Sequence, residues 1–208
     1  MADQTFERVP HLADRLRGAV DVEGKVARAL EALGPLAGRD VVLLDGAGAP
    51  FLPLVKTTGA EPLVVEIETP LRIPVADASL DAVVTLWAGF RGVDPDDLAE
   101  VDRVLRPGGR LLVVHDYGRD DVSLLRDPET PEYRLWSRRE GPFLRGPGFR
   151  IRVVHCFWTF TSLDETREIL AELFGDRGEA VGARLKRPRL SWNVAVYHRL
   201  RGGEAPPA

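Results

Sequence analysis

Leu105-Arg106-Pro107-Gly108-Gly109-Arg110-Leu111-Leu112-Val113-Val114-His115 is the stretch on which the fold turns. Its first half stops a helix, because proline has no N–H to give and the glycines allow a sharp reversal. Its second half, Leu111 to Val114, is an apolar run without alternation. With its flanks Arg110 and His115 it reads as a strand. The helix before it is well marked. Asp94 is placed to cap it and Pro95 suits its first turn. Asp96 and Asp97 favour its positive end, and Arg103 and Arg106 its negative end. Leu98, Val101 and Leu105 make the apolar face.

Upstream lie the continuous apolar run Val41–Leu44, which fits a strand covered on both faces as in a parallel sheet, and the stretches Pro62–Glu68 and Leu80–Trp87. Each reads as a strand. Before them, Val22, Val26, Leu30 and Leu33 recur at helical spacing, with Asp21 as N-cap and Gly34 past the end. Downstream, residues 118–149 read as an irregular helical lobe. Phe149–Phe160 then reads as a strand, Ser162–Phe174 as a helix with capping-box spacing from Ser162 to Glu165, and Ser191–Leu200 as a last strand. Strands alternating with helices predict an α/β, Rossmann-like, doubly wound, mostly parallel sheet with helices on both faces. One domain over residues 1–200 is expected, with helices in 1–38 and a flexible tail at 201–208. In such sheets ligands sit at the carboxyl ends of the strands.

Composition narrows the function. The chain has 208 residues, is 44 % hydrophobic and carries a formal net charge of -4, so no global attraction to nucleic acid is expected. The single cysteine, Cys156, excludes an internal disulfide framework and a cysteine-rich zinc site. It lies in an apolar run and reads as a buried thiol. The four histidines show no pair at metal-ligand spacing. No apolar stretch reaches the length of a membrane span, and the N-terminus lacks a secretion signal, so a cytoplasmic protein is expected. Arg184, Lys186, Arg187 and Arg189 form a basic cluster that reads either as a phosphate contact or as a solvated loop.

Two residue groups at strand ends carry the chemistry. Asp45-Gly46-Ala47-Gly48-Ala49-Pro50 follows the first strand, where glycines permit a tight turn and close approach of a ligand. Glu66-Ile67-Glu68 ends the second, and an acid about twenty residues past a glycine turn can accept hydrogen bonds from a ribose diol. Glu68 stands nearer the carboxyl end. By themselves these are equally a bare turn and a solvated strand end.

Together with Ile73–Trp87 and Glu100–His115, these segments resemble, in order, the class I S-adenosylmethionine (SAM)-dependent methyltransferases, in particular methyltransferase type 11-like proteins. The likeness covers residues 20–120. It implies a C-terminal antiparallel strand pair and SAM as cofactor. Asp45, Gly46 and Gly48 would line its methionine end, Glu68 would hold the ribose, and Leu86, Trp87 and Ala88 would border the methyl donor. A small-molecule acceptor is then expected. His115, Asp116 and Tyr117, after the strand that follows Pro107-Gly108-Gly109, are the candidates for catalysis. Asp116 and Asp120 also read as caps.

The chain departs from the family at three places. Pro50 stands where a third glycine belongs. Only Thr69–Arg72 remains where the family has a helix and a strand, so the sheet is expected to be one edge strand short. Arg72 lies where an acid would accept from the adenine amine, and a guanidinium accepts nothing. The shortened edge is one that another copy can pair with, so a monomer or a homodimer is expected. Two other readings stay open. One is a non-catalytic methyltransferase-like module that has lost normal SAM binding. The other is a nicotinamide oxidoreductase, which predicts glycine at position 51, where Phe51 stands.

Overall fold

A computed structural model describes residues 15–203 apart from 17, 88–89, 91–92, 127–134, 137 and 146–147. Ala88, the tail beyond Gly203 and the residues before Arg15 lie outside that set. The elements in chain order are α1 (Lys25–Leu33), β1 (Val41–Asp45), α2 (Leu52–Lys56), β2 (Leu63–Glu66), β3 (Leu80–Leu86), α3 (Pro95–Val104), β4 (Leu105–Asp116), α4 (Pro142–Arg145), β5 (Arg150–Thr159), α5 (Leu163–Phe174), α6 (Asp176–Arg184) and β6 (Arg189–Leu200). Short 3-10 turns cover Val122–Leu125 and Arg201–Gly203.

The strands form one mixed sheet in the order β2-β1-β3-β4-β6-β5, with helices on both faces. β1 pairs parallel with β2 and with β3, and β3 pairs parallel with β4. β2 stands at the rim, and residues 67–79 contain no helix or strand. The expected loss of an edge strand is what the sheet shows.

The chain divides into two compact units. The larger comprises Ala27–His115, Leu135–Arg152 and Ala195–Ala208. Its centre is β1, buried at every residue, with Val83 and Val84 of β3 beside it and Leu111–Val114 of β4 on the far side of β3. Apart from Asp45, Asp81 and Thr85, β1 and β3 are apolar, because both their faces are covered. α3 begins as the sequence predicts, with Asp94 accepting from the backbone N–H of Asp96 at 2.9 Å and of Asp97 at 3.4 Å. The strand after it starts earlier than Arg110. Leu105 already pairs with Leu80, and Arg110 pairs with Ala82, so Arg106–Gly109 are a bulge inside β4 rather than a free turn. Arg106 fastens this bulge by reaching Asp40 at 2.7 Å and Asp81 at 3.0 Å. Buried Arg199 pairs with Asp102 of α3 at 2.5 Å.

The smaller unit comprises Met1–Val26, Asp116–Arg134 and Val153–Val194. Here Asp21 acts from four residues before α1. Its carboxylate accepts from the N–H of Lys25 at 2.8 Å and of Val26 at 2.7 Å, donors that the first helical turn leaves open. Val22, expected on the apolar face, lies in that turn and is 62 % exposed, because the chain reverses there before the helix begins. Ser162 caps α5 by accepting from the Glu165 N–H at 3.1 Å. α6, which the sequence did not suggest, packs on α5 through Gly178. A Cβ at that position would lie 1.7 Å from the Leu170 carbonyl oxygen, so only glycine lets the two helices approach this closely. Trp158 packs against Trp192 and Phe174 in the core of this unit.

Candidate active site

The carboxyl ends of β1 to β4, within the larger unit as far as His115, bring most of the candidate residues into one row. Asp45 pairs in register with Glu66, and Leu86 pairs with Val114. Glu68 therefore follows the rim strand, the glycine turn follows β1, Trp87 follows β3 and His115 stands near the end of β4.

Asp45 is completely buried, and its carboxylate shapes the turn that follows it. One oxygen accepts from the Gly46 N–H at 2.8 Å and the other from the Phe51 N–H at 3.1 Å. The turn is folded around this acid, as a loop is around an Asx side chain. Gly48 and Ala49 both have left-handed backbones, with φ of 75° and 47°. Ideal Cβ atoms built on Gly46 and Gly48 would meet nothing within 4 Å, so the outer side of the turn is open. Phe51, immediately before α2, is buried against Trp87 with ring centroids 5.2 Å apart. Trp87 is itself left-handed, with φ of 53°, a conformation that bulky residues rarely take without compensation from packing. Leu86 is fully buried, so what it can offer a ligand is backbone.

Glu68 is exposed and makes no hydrogen bond or ion pair with the described residues. A free carboxylate there has its full capacity to accept from a diol. Arg72 directs a guanidinium N–H to the Leu71 carbonyl at 2.9 Å.

The segment that replaces the missing helix and strand is clamped from α3. Glu100 accepts from the Ile73 N–H at 2.8 Å and from Arg103 through both oxygens at 2.8 Å. Arg103 also donates to the Ile73 and Val75 carbonyls at 3.0 Å and to Asp77 at 2.6 Å. The hydrogen bonds from Arg103 hold the Glu100 carboxyl at about 2 against the resistance of burial, with the Ile73 N–H adding to the effect. This clamp was missed in the sequence. The signal for it was an acid and a base three residues apart on the same helix face.

His115 is buried, with Nε2 3.2 Å from the Phe90 carbonyl oxygen. A carbonyl only accepts, so Nε2 carries the hydrogen and donates. The ring packs against Trp136 at 4.7 Å and Phe143 at 6.0 Å, and Phe143 stacks on Tyr197 at 4.0 Å. The aromatic residues of the helical lobe thus gather on His115.

Asp116 and Tyr117 fall in the smaller unit. One carboxylate oxygen of Asp116 accepts from the Trp192 indole N–H at 2.7 Å and the other pairs with buried Arg126. The Tyr117 N–H donates to the Asn193 carbonyl at 2.8 Å, and the Arg119 guanidinium lies 5.8 Å from its ring centre. Asp120 accepts from the N–H groups of Ser123 and Asn193, and Asp121 from the N–H and hydroxyl of Ser191. Burial raises the Asp120 carboxyl above the ordinary carboxylate range despite these donors. The acids after β4 therefore hold this loop to β6. No group of three or more histidine, cysteine or acidic residues arranged for a metal occurs among the described residues.

The described residues contain no helix long and apolar enough to cross a membrane. No family model matches the chain. A protein assigned as methyltransferase PMT16 of Arabidopsis thaliana is 33 % identical over 92 residues, which are 42 % of this chain and 14 % of that protein. The ubiquinone/menaquinone biosynthesis C-methyltransferase UbiE of Dinoroseobacter shibae is 54 % identical over 46 residues, 21 % of this chain and 18 % of that protein. The matches thus span less than a fifth of either relative. Among solved structures, a protein assigned as a type II methyltransferase from Anaeromyxobacter dehalogenans aligns with a TM-score of 0.51 at 19 % identity, covering 84 % of this chain and 94 % of that one. The resemblance seen in the sequence holds. The chain has the fold of the class I SAM-dependent methyltransferases and matches methyltransferase sequences over part of its length.

Proposed function

We propose that the chain binds SAM along the carboxyl ends of β1 to β4 and transfers its methyl group to a small-molecule acceptor. The observation that carries this reading is the open turn at Gly46 and Gly48 beside an unengaged Glu68, on a methyltransferase fold. Bound SAM supplies a methyl carbon on a positively charged sulfur, which an acceptor lone pair displaces to leave S-adenosylhomocysteine.

The chain's own residues do the rest. Glu68 accepts from the two ribose hydroxyls. Asp45 keeps the turn in shape from inside, so the peptide edge at Gly46–Gly48 is set before the ligand arrives, and prepositioning of this kind lowers the barrier. Trp87 and Phe51 close the floor to water. Among the three candidates at the end of β4 and just beyond it, His115 is assigned the role of general base, its ring oriented by the hydrogen bond from Nε2–H to the Phe90 carbonyl. Asp116, bound by Trp192 and Arg126, positions the loop instead. Pro50 contributes no N–H and Arg72 no acceptor, so affinity rests on the ribose and methionine ends. The non-catalytic alternative finds no support in the relatives.

The test is calorimetry with SAM and S-adenosylhomocysteine on the whole chain and on Glu68→Ala. Micromolar binding, weakened tenfold or more in the variant, is the expected result. A folded protein that binds neither ligand overturns the proposal.

A further inference from the structure

The opposite ends of the same parallel strands carry a second constellation. Arg110 on β4 and Arg150 and Arg152 on β5 all press their charge on His198 of β6, the strand that lies between those two. Arg150 and Arg152 are exposed, and Arg110 and His198 are half-buried. Among the described residues none of Arg110, Arg150 and Arg152 pairs with a carboxylate, and neither does Arg39 just before β1. Unbalanced guanidinium groups gathered on an otherwise acidic chain are costly to hold together without an anion.

Two of these arginines, Arg39 and Arg110, line a cavity of about 250 Å³ together with Gly34, Asp81, Arg106 and Gly109. Its carboxylate, Asp81, is already taken by Arg106, and Asp40 outside the wall takes the rest of that guanidinium. The two carboxylates share one guanidinium and Arg39 also acts on Asp81, so Arg110 is the wall cation that no acid balances. Arg110 belongs both to the cavity wall and to the group around His198, and so links the two. Burial, then Arg110, Arg150 and Arg152, keep the His198 imidazole below its ordinary range, and no acid among the described residues opposes them. An anion seated there would relieve that repulsion.

We infer that this surface binds the phosphate groups of a small phosphorylated ligand, at a site separate from the methyl-transfer edge. Guanidinium forks match phosphate oxygens in pairs. The cavity is below the size of most drug-like pockets, which suits a di- or triphosphate group. Five residues of β1 separate the two ends of the sheet here, about 15 Å of strand.

Inorganic tripolyphosphate is the probe, titrated calorimetrically into the whole chain at near-physiological salt. Saturable binding is expected, weakened tenfold or more in the double variant Arg150→Gln/Arg152→Gln and in Arg110→Gln. Arg184→Gln/Arg187→Gln, in the basic cluster before β6, should change it by less than twofold. The probe should also raise the midpoint of the His198 ring titration read by NMR, while S-adenosylhomocysteine affinity stays unchanged in the Arg150/Arg152 variant. Both of those residues are exposed, so that variant folds and the test does not depend on Arg110. No saturable binding, affinity kept within twofold in the double variant, or binding of an oligonucleotide without tripolyphosphate would overturn the inference.

Discussion

Gly46→Ala separates folding from ligand binding at the proposed SAM turn. The backbone at Gly46 is not left-handed, and an added Cβ meets no atom of the chain within 4 Å. Alanine there costs the folded state nothing and removes freedom from the unfolded one, a gain of up to about 1 kcal/mol. The neighbouring glycine behaves oppositely. Gly48 has a φ of 75°, so Gly48→Ala forces a left-handed alanine and loses about 1–2 kcal/mol. Urea denaturation distinguishes them: with a slope of about 2 kcal/mol per molar, each kcal/mol moves the midpoint by about 0.5 M. Binding should run the other way from stability for Gly46. Its new methyl projects into the space assigned to the ligand, so S-adenosylhomocysteine affinity should fall at least tenfold, about 1.4 kcal/mol. A Gly46→Ala protein that is destabilised by more than about 1 kcal/mol, or that binds S-adenosylhomocysteine within twofold of the parent, refutes the argument.

Three further outcomes follow from the geometry. Glu100 has a folded-state pKa depressed to about 2, so its stabilisation is fully present above the unfolded value of 4.5 and is lost as pH falls through that window. The effect is on the order of 3 kcal/mol, and Glu100→Gln should flatten the acid limb of a denaturation-versus-pH curve there. An unchanged acid limb would show that the Arg103 clamp does not hold the carboxylate. Asp94→Ala removes the cap of α3 and should cost about 1 kcal/mol in urea, restored in large part by Asp94→Asn. Burial, with Asp21 nearby, pushes the Cys156 thiol up to about 12, so a disulfide reagent at pH 8 should react far more slowly with the native chain than with the unfolded one. Equal rates would mean that the thiol is not buried.

The sequence displayed most of what depends on neighbours along the chain. β1 was legible from the unbroken apolar run Val41–Leu44, β3 from its largely apolar stretch, α3 from Asp94, Pro95 and the charges at its ends, and α5 from Ser162 and Gly175. The row of Asp45, Glu68, Trp87 and His115 was legible because parallel strands place their carboxyl ends together. What stayed hidden was decided by distant partners. α6 is polar and holds two glycines, poor credentials for a helix, and it forms because Gly178 lets it settle on the Leu170 backbone. The start of β4 was hidden by Pro107-Gly108-Gly109, which reads as a stop yet lies within a pairing to β3. Nothing near Asp116 announces Trp192 or Arg126, so its double engagement is visible only in three dimensions.

The rim position of β2 explains how such a fold tolerates being shortened. Removing an outermost strand sacrifices one ladder of hydrogen bonds. Removing β1 or β3 would strip partners from two neighbours at once and split the core. Trimming is therefore tolerable at a rim and not at the centre, and β2 makes a sound new border. It is four residues long, bounded by Pro62 and Pro70, with Glu66 exposed on it and Glu68 exposed just beyond it. Short length, proline and charge are what keep an open ladder from recruiting foreign strands. The chain has thus moved its boundary inward by one strand and finished the new margin with residues that refuse further growth.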